Sequence, residues 1–429
     1  MLRRPSSPLF AAALLSALAC TRADQPADEN AATLGAPAGR ADGGLRPLRS
    51  ATVVTADSAM VVSASPYATD AGLAVLRNGG NAVDAAVAVA FTLAVTYPTA
   101  GNIGGGGFLV ARIGGQNVAL DFREVAPAGA SRDMYLDSSG QLTDRSLTGA
   151  LAAGVPGSVA GLYEAHRKFG TRPWAELVQP AIDLAERGFV VDTAFTEDSD
   201  DATARLAKDS ASAVLFLVNG RYAAIGTTWR APQLAAVLRR IAERGRDGFY
   251  KGETARLIAA AMEKHGGIIT PSDLANYRPV WRTPVEFEYR KHRVVSMPPA
   301  SSGGLTLALI LGIVGQRDIA ALGWRSAASI HVLAEAERRA FARRNALLGD
   351  PAFGPIATAS FLSKDTAVAL SAEITDRAST TPVAPTAKEP RHTTHFSVVD
   401  ARGNAVSLTT TLNESYGAAF TVAGAQFLL

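Results

Sequence analysis

The chain has 429 residues, of which 48% are hydrophobic and 19% charged, so it is long enough to bury a large core and has the composition of an ordinary globular protein. Its formal net charge of +3 is small, and its Lys and Arg residues are scattered among Asp and Glu. Neither a block of like charges nor a basic stretch interleaved with aromatic residues occurs, which argues against a nucleic-acid partner.

Residues 1–19 have the pattern of an export signal. Arg3 and Arg4 form a positive start, and the apolar run from Leu9 to Leu18 is shorter than the roughly 20 residues that a membrane-spanning helix needs. Small residues at Ala17–Ala19 provide a cleavage site. We therefore predict export, to a bacterial periplasm or envelope.

Cys20, the single cysteine, directly follows this cleavage site. Two interpretations stay open: an incidental residue of a discarded peptide, or the lipid-attachment cysteine of a bacterial lipoprotein, whose signal peptides carry a Cys just after the cut. Without a second cysteine no disulfide can form, and we expect no thiol catalysis. Residues 20–50 are rich in Ala, Gly, Asp and Pro without periodicity, which predicts a flexible tether.

Beyond residue 51 the sequence predicts two adjacent helices. Ser65-Pro66 is a cap and first-turn pair, and the helix that it opens ends at Gly79-Gly80. The second helix begins at Asn81 and ends before Pro98, and beyond Asp84 it is apolar all round. We therefore expect this helix to be fully buried, in a layer that covers a sheet.

The rest of the chain predicts hairpins and amphipathic helices in separate blocks, which favours stacked layers over a doubly wound parallel sheet. Residues 108–113 and 118–123 flank the turn Gly114-Gly115 and predict a β-hairpin. The remaining elements are helices near 157–168, 174–187, 230–244 and 252–264, strands within 283–296, a long helix over 327–346, a loop over 378–392, and a hairpin over 393–413.

Gly104–Gly107 form a four-glycine run. A phosphate-binding loop is disfavoured, because no Gly-Lys-Ser/Thr follows and the next element is a strand rather than a helix. The run instead indicates a tight backbone crossing beside a site.

The C-terminal hairpin carries a row of hydroxyl groups. Gly403 suits the left-handed position of a three-residue loop, which places Asp400 opposite Asn404 and Thr393 directly across from Thr411. One face is then mostly apolar, and the other carries Thr393, His395, Ser397, Ser407, Thr409 and Thr411. From the pattern alone, this second face is either a solvated surface or a catalytic one.

The sequence around this hairpin resembles the autoprocessing junction of the γ-glutamyltranspeptidases, which belong to the N-terminal-nucleophile hydrolases. The resemblance extends from about Thr55 to the C-terminal hairpin. The matching strings are Asn78–Ala86, Gly101–Phe108, Asp121–Glu124 with Ala126-Pro127, Gly154–Gly157, Ser296–Pro299 with Ser301–Gly304, Arg391–Asp400, Gly403–Val406 and Thr411–Asn413.

The resemblance implies an α+β fold with four αββα layers and cleavage between His392 and Thr393. Residues 51–392 would form a large subunit, and 393–429 the start of a small subunit that pairs with it. The Thr393 hydroxyl would attack the γ-amide of glutathione or a related γ-glutamyl compound, and the acyl group would pass to water or to an amino-acid or peptide acceptor. No cofactor is implied.

Elementary chemistry agrees with this assignment. A Thr hydroxyl is a weak nucleophile until a base takes its proton, and the α-amine that cleavage frees on Thr393 can act as that base. An α-amine titrates near about 7.7–8.0, so a small downward pKa shift makes it competent at neutral pH. In the uncut chain this nitrogen is an amide, so we expect the precursor to be inactive on substrate.

The resemblance also implies roles for single residues. Thr411 matches the residue that hydrogen-bonds the nucleophile, Asn413 one that contacts the amino-acid end of the substrate, and Arg123 the arginine that pairs with the substrate α-carboxylate. For Arg123 the alternative is a structural ion pair with Asp121 or Glu124. His395 is interpreted as structural and His392 as the leaving residue, and no cluster has metal-ligand spacing.

The sequence as written ends at Leu429, partway through the small subunit of the resembled family. The resemblance places further substrate-binding residues and a glycine pair forming the oxyanion hole in the continuation. We therefore expect the chain as written to be inactive on γ-glutamyl substrates, and its second sheet to be incomplete.

Two other functions stay open. The first is an acylase for another amide, such as a glutaryl-cephalosporin, for which Arg123→Ala would not abolish activity. The second is a non-catalytic envelope lipoprotein on the same scaffold, which predicts an uncut chain.

Overall fold

The computed structural model describes residues 53–380 and 393–429. The predictions for the signal peptide, the tether, Cys20 and His392 lie outside these residues. The strands are β1 Met60–Val62, β2 Gly106–Ile113, β3 Gln116–Asp121, β4 Phe189–Val190, β5 Leu217–Val218, β6 Arg221–Tyr222, β7 Thr228–Trp229, β8 Val280–Arg282, β9 Val285–Tyr289, β10 His292–Ser296, β11 Thr394–Val399 and β12 Ala405–Thr411.

Fourteen α-helices lie between these strands in the described part of the sequence. They are α1 Pro66–Arg77, α2 Ala82–Thr96, α3 Ser158–Phe169, α4 Trp174–Arg187, α5 Ser199–Leu206, α6 Ser210–Phe216, α7 Pro232–Arg244, α8 Asp247–Tyr250, α9 Gly252–His265, α10 Pro271–Asn276, α11 Gly303–Val314, α12 Ala327–Leu347, α13 Thr358–Leu362 and α14 Lys364–Ala372. Within the described ranges, no helix is both long and apolar enough to cross a membrane.

A six-stranded antiparallel sheet with the order β1-β11-β12-β2-β3-β8 forms the centre of the molecule. The last two strands in sequence, β11 and β12, lie in its middle, between β1 and β2. Both predicted hairpins are confirmed. Gly114 and Gly115 have φ of 57° and 82°, as a two-residue hairpin turn requires. Gly403 has φ 76°, and Asp400 and Asn404 close the three-residue loop.

Helices cover one face of this sheet, as predicted. The Asn81 side chain accepts from the backbone N–H groups of Val83 and Asp84, and the Asp84 carboxylate accepts in return from the Asn81 N–H, which completes a capping box. Every residue of α2 except Ala94 is buried. Ser65 and Pro66 open α1 at the N-cap and in the first turn, as predicted, although the Ser65 hydroxyl accepts from Thr96 Oγ1 at 2.9 Å and makes no capping hydrogen bond to α1.

The β9–β10 hairpin lies opposite the other face of the sheet. Helix α11 packs on the side of this hairpin that faces away from the sheet. A second hydrophobic core lies here, separate from the main one, and its buried residues include Val285, Leu305, Leu309, Ile313 and Phe361. Helices, sheet, hairpin and helices therefore follow one another as layers, which confirms the α+β class.

Some helices were not predicted, chief among them α11. Its sequence begins with two glycines and is then almost uniformly apolar. Such a run carries no helical period, and periodicity cannot separate it from a buried strand. The helices α5, α6, α13 and α14 have only five to nine residues each, too few for a clear apolar stripe.

Candidate active site

Thr393 and Thr411 lie side by side at one end of the β11–β12 hairpin. The register pairs Thr394 with Thr410, so Thr393 stands opposite Thr411, as predicted. The Thr393 Oγ1 donates to Thr411 Oγ1 at 3.2 Å. Thr411 is buried, and its Oγ1 also accepts the backbone N–H of Asn413 at 2.8 Å. Two donors thus fix the orientation of the Thr411 hydroxyl.

Asn102 forms hydrogen bonds with the end of the hairpin that carries Thr411. Its amide nitrogen donates to Thr410 Oγ1 at 3.0 Å and to the Thr411 carbonyl at 2.9 Å. Its amide oxygen accepts from the Gly105 N–H at 2.8 Å and from Ser158 Oγ at 2.6 Å. A buried amide with its donors and acceptor satisfied is a rigid support, so Asn102 fixes the backbone beside Thr411.

The four-glycine run packs against other backbone segments, as its prediction of a tight crossing requires. A Cβ on Gly104 would lie 2.0 Å from the Leu428 carbonyl oxygen, and one on Gly105 would lie 2.3 Å from that of Thr411. A Cβ on Gly107 would lie 2.2 Å from the Thr409 carbonyl oxygen. Since real Cβ atoms do not approach oxygen so closely, only glycine lets β2 lie this near its neighbours.

Arg123 lies just after β3 and reaches the same site. Its Nη2 donates to Asn413 Oδ1 at 2.9 Å, and its Nε pairs with Glu124 at 3.3 Å. The alternative pairing with Asp121 is wrong for the guanidinium: Asp121 pairs with Arg282 at 2.8 Å and accepts only the backbone N–H of Arg123. The Arg123 side chain remains 36% exposed, so a ligand can reach it.

The backbone around Arg123 is fixed by Tyr277, whose hydroxyl donates to the Arg123 carbonyl at 2.8 Å. Burial raises the pKa of the neighbouring Glu124 above its ordinary value, although the Arg123 charge opposes the shift. Arg123 thus contacts Glu124 and Asn413, and part of its guanidinium side chain stays exposed.

His395 lies on the same face as Thr393, between two hydroxyl groups. Its Nδ1 is 2.8 Å from Thr409 Oγ1 and its Nε2 is 3.0 Å from Ser407 Oγ. Burial lowers the pKa of this imidazole, which favours its neutral form. Neither nitrogen contacts Thr393 or Thr411 directly.

A pocket of about 340 Å³ is lined by the side chains of Thr393, Thr411, Arg123 and His395 together with ten other residues. Its floor is the polar face of the central sheet, and the segment between β10 and α11 forms its opposite wall. Its lining residues are Phe108, Val110, Arg123, Val295, Ser296, Met297, Ser301, Gly303, Gly304, Thr393, His395, Ser407, Thr409 and Thr411. Across residues 53–380 and 393–429, no group of three His, Cys, Asp or Glu residues is placed to hold a metal ion.

Asn102, Tyr277 and the wall around Met297–Gly304 carry roles that the sequence did not indicate, although Asn102 and the wall lie in strings that match the family. Asn102 follows a glycine and resembles any turn residue in sequence. Its function depends on contacts with residues more than three hundred positions away, at Thr410 and Thr411. Two signals marked it in sequence, its position beside the glycine run and its place in the matching string Gly101–Phe108, but neither shows which atoms it contacts.

The chain is similar to known proteins over most of its length. Residues 68–429 match the profile of the family described as Gamma-glutamyltranspeptidase. A Glutathione hydrolase proenzyme from Pseudomonas aeruginosa is 45% identical over 89% of this chain and 68% of the relative, and one from Escherichia coli is 43% identical over 88% and 66%. An Acylase ACY 1 proenzyme from a Pseudomonas species is 39% identical over 85% and 67%. The chain thus spans about two thirds of the length of these relatives.

Solved structures give the same result. The gamma-glutamyltranspeptidase of Helicobacter pylori superposes with a TM-score of 0.75 at 40% identity, covering 78% of this chain and 97% of that chain. The cephalosporin acylase of Bacillus halodurans superposes with a TM-score of 0.77 at 28% identity, covering 90% and 72%. With the family profile matched over residues 68–429, the chain belongs to the gamma-glutamyltranspeptidase family.

Proposed function

We propose that the chain carries the cleavage junction and the nucleophile of a proenzyme, which cleaves itself between His392 and Thr393 and whose Thr393 then attacks γ-glutamyl amides. The single observation that carries this proposal is the Thr393 hydroxyl, 3.2 Å from the buried Thr411 hydroxyl, in the pocket that Arg123 also lines. Relatives at 43% and 45% identity are named glutathione hydrolase proenzymes, which supports both the cut and the substrate class.

Self-cleavage follows from the chemistry of a threonine hydroxyl. The Thr393 oxygen attacks the carbonyl carbon of His392, the C–N bond breaks, and the Thr393 nitrogen takes a proton to become an amine. Water then hydrolyses the ester that joins the two parts. Thr411 positions the attacking oxygen, because its own oxygen accepts the Thr393 proton in a hydrogen bond and is held by the Asn413 N–H.

The reaction with substrate repeats this attack with the new amine as base. The Thr393 amine takes the hydroxyl proton, the oxygen attacks the γ-carbonyl carbon, and the amine returns the proton to the leaving nitrogen. The resulting acyl-enzyme passes its γ-glutamyl group to water or to an amino-acid or peptide acceptor. Arg123 pairs with the α-carboxylate in a bidentate manner, and Asn413 contacts the amino-acid end.

The two products of self-cleavage are proposed to remain together as large and small subunits. Strands β11 and β12, which belong to the smaller part, hydrogen-bond to β1 on one side and β2 on the other, both from the larger part. Removing them would expose the centre of a sheet and much of the main core. Association of the two parts therefore needs no covalent link.

We also propose that the protein is exported, with residues 1–19 as its signal peptide. A positive start, a short apolar run and a small-residue cleavage site support this. Lipid attachment at Cys20 is a further proposal that the mass of the mature N-terminus tests directly. An unmodified N-terminus beyond Cys20 would contradict it.

An acylase that acts on another amide is the second candidate, since Acylase ACY 1 proenzymes are among the relatives. Ligand binding separates the two functions. We expect L-glutamate to raise the melting temperature of the wild-type chain and glutarate, which has the same two carboxylates but lacks the α-amine, to raise it less. Arg123→Ala should lose the glutamate effect, whereas Arg112→Ala, a matched control on β2, should keep it. Equal stabilisation by both ligands would favour the acylase.

A further inference from the structure

The loop that follows β12 has an unusual backbone. In residues 413–419, here named the Asn413 loop, φ is 75° at Asn413, 59° at Tyr416, 58° at Gly417 and 51° at Ala419. Left-handed conformations at residues other than glycine are strained and persist only where surrounding contacts hold them. Something in the fold must therefore fix this loop.

Arg205 on α5 supplies much of that restraint. Its Nη1 donates to the Ser415 carbonyl at 3.1 Å, and its Nη2 donates to the carbonyls of Gly417 at 2.5 Å and Leu147 at 3.1 Å. Its Nε reaches Thr148 Oγ1 at 3.4 Å. The planar guanidinium thus spans two carbonyls of the loop, on either side of the left-handed Tyr416, and ties them to a separate segment.

Tyr416 anchors the loop from the opposite direction. Its ring is fully buried, and its hydroxyl donates to the carbonyls of Phe195 at 3.3 Å and Glu197 at 3.0 Å, just before α5. Its backbone N–H donates to the Thr99 carbonyl at 3.0 Å. The loop is therefore held mainly by α5 and the segment leading into it.

The conformation of this loop fixes two contacts of the candidate active site. The Asn413 N–H donates to Thr411 Oγ1 at 2.8 Å, and the Asn413 Oδ1 accepts from Arg123 Nη2 at 2.9 Å. Both depend on the left-handed φ of Asn413, because φ sets the orientation of its side chain relative to its own N–H. The loop thus connects Thr411, and through it Thr393, with Arg123.

We propose that Arg205 is a positioning residue for the reaction, which acts by holding the Asn413 loop in its left-handed conformation. This inference rests on the proposed function. Arg205 does not line the pocket around Thr393, so we assign its effect on the reacting groups to the Asn413 loop, whose carbonyls at Ser415 and Gly417 it holds. A displacement of about 1 Å at a reacting group costs on the order of 10²-fold in rate, so a relaxed loop should be visible in kinetics.

The test compares Arg205→Gln with Arg205→Lys and with a matched control, Arg317→Gln. Arg317 also donates to two carbonyls, of Ser371 at 2.8 Å and Ile374 at 2.7 Å, but in the second core. Three quantities are measured on the full chain: the rate of cleavage before Thr393, hydrogen exchange of the peptide covering residues 412–419, and the melting temperature.

We expect Arg205→Gln to slow self-cleavage by roughly 10- to 100-fold and to raise exchange in the Asn413 loop. Arg205→Lys keeps the positive charge but lacks the planar guanidinium that donates to several carbonyls at once. Its self-cleavage rate should lie between those of Arg205→Gln and the wild type. Arg317→Gln should lower the melting temperature to a similar extent and leave the cleavage rate and the loop exchange near those of the wild type. If Arg205→Gln does not fold, the Arg205→Lys variant decides by the same measurements.

Wild-type cleavage in Arg205→Gln would overturn the inference and leave the proposed function intact. Equal slowing in Arg205→Gln and Arg317→Gln would also overturn it, because the effect would then be general instability. An uncut wild-type chain would contradict the proposed function itself, and the inference with it.

Discussion

At the scale of single residues, the site is a chain of hydrogen bonds that leads from Arg123 through Asn413 and Thr411 to Thr393, the proposed nucleophile. The Asn413 N–H and the Thr393 hydroxyl both donate to Thr411 Oγ1, and Asn413 in turn contacts Arg123. The group expected to attack and the group expected to bind carboxylate are thus joined through two side chains. A change in any one of them should affect both binding and cleavage.

Replacing Thr411 tests this connection. Thr411→Val keeps the shape of the side chain but removes the acceptor, which leaves the Thr393 hydroxyl unoriented and the Asn413 N–H unpaired. We expect self-cleavage to slow by about 10²-fold, the order of magnitude for a reacting group that is displaced by about 1 Å. We also expect the free energy of unfolding to fall by about 1–3 kcal/mol. Cleavage is followed by mass spectrometry and stability by urea unfolding.

Thr411→Ser is the matched control, because it retains the hydroxyl and loses only a methyl group. Its cleavage rate should stay much closer to that of the wild type than the rate of Thr411→Val. If the valine variant cleaves as fast as the serine variant, Thr411 does not position the nucleophile.

At the scale of elements, the site depends on the close approach of β2 to its neighbours. A Cβ on Gly106 would lie 2.6 Å from the Phe122 carbonyl oxygen and 2.8 Å from the Glu124 nitrogen. Both of those atoms flank Arg123. The glycine run therefore sets the distance between β2 and the segment that carries the proposed carboxylate-binding residue.

Gly106→Ala should push this segment away. We expect a loss of about 1–3 kcal/mol in the free energy of unfolding, as for other overpacked positions, and a weaker response to L-glutamate. Gly349→Ala is a suitable control, since a Cβ there meets no atom within 4 Å. Urea unfolding of both variants provides the comparison, and equal stability of the two would show that β2 can shift without cost.

Local chemistry explains which elements were predictable from sequence. The register of β11 and β12 follows from one turn, because Gly403 at the left-handed position sets every later pair. Helix α2 follows from the Asn81 cap and an apolar run. By contrast, Asn102 and Arg205 act through partners far along the chain, and α11 has no periodic pattern. Their roles depend on tertiary contacts that spacing does not encode.

At the scale of the whole molecule, the main core contains several buried tyrosines. Burial is the largest cause of a raised pKa at Tyr97, Tyr222, Tyr250, Tyr277 and Tyr416. For Tyr416 the pKa rises from 10.0 to about 12. In each case the fold favours the protonated phenol, so ionisation opposes folding.

The sign of the pH dependence follows from this. A pKa that is higher in the folded state than in the unfolded state contributes its full stability below pH 10.0 and loses it as the pH rises through about 12. Tyr416 alone accounts for up to about 3 kcal/mol over this interval. We expect the melting temperature to fall steeply between these pH values, as measured by circular dichroism.

Tyr416→Phe serves as the control for this effect. It lacks the ionisable group, so its stability should depend less on alkaline pH, although loss of its hydrogen bonds should cost about 1 kcal/mol at neutral pH. An identical alkaline profile in the two proteins would show that Tyr416 does not titrate in this range.

The measurement that tests the central claim most directly is the N-terminal sequence of the products that form when the purified chain is incubated. Two fragments are predicted, the smaller beginning Thr393-Thr394-His395, with a rate that is independent of protein concentration because the reaction is intramolecular. Thr393→Ala, which lacks the hydroxyl, should remain uncut under the same conditions. A wild-type chain that stays intact, or a Thr393→Ala chain that is cut at the same bond, would contradict the assignment of Thr393 as the nucleophile.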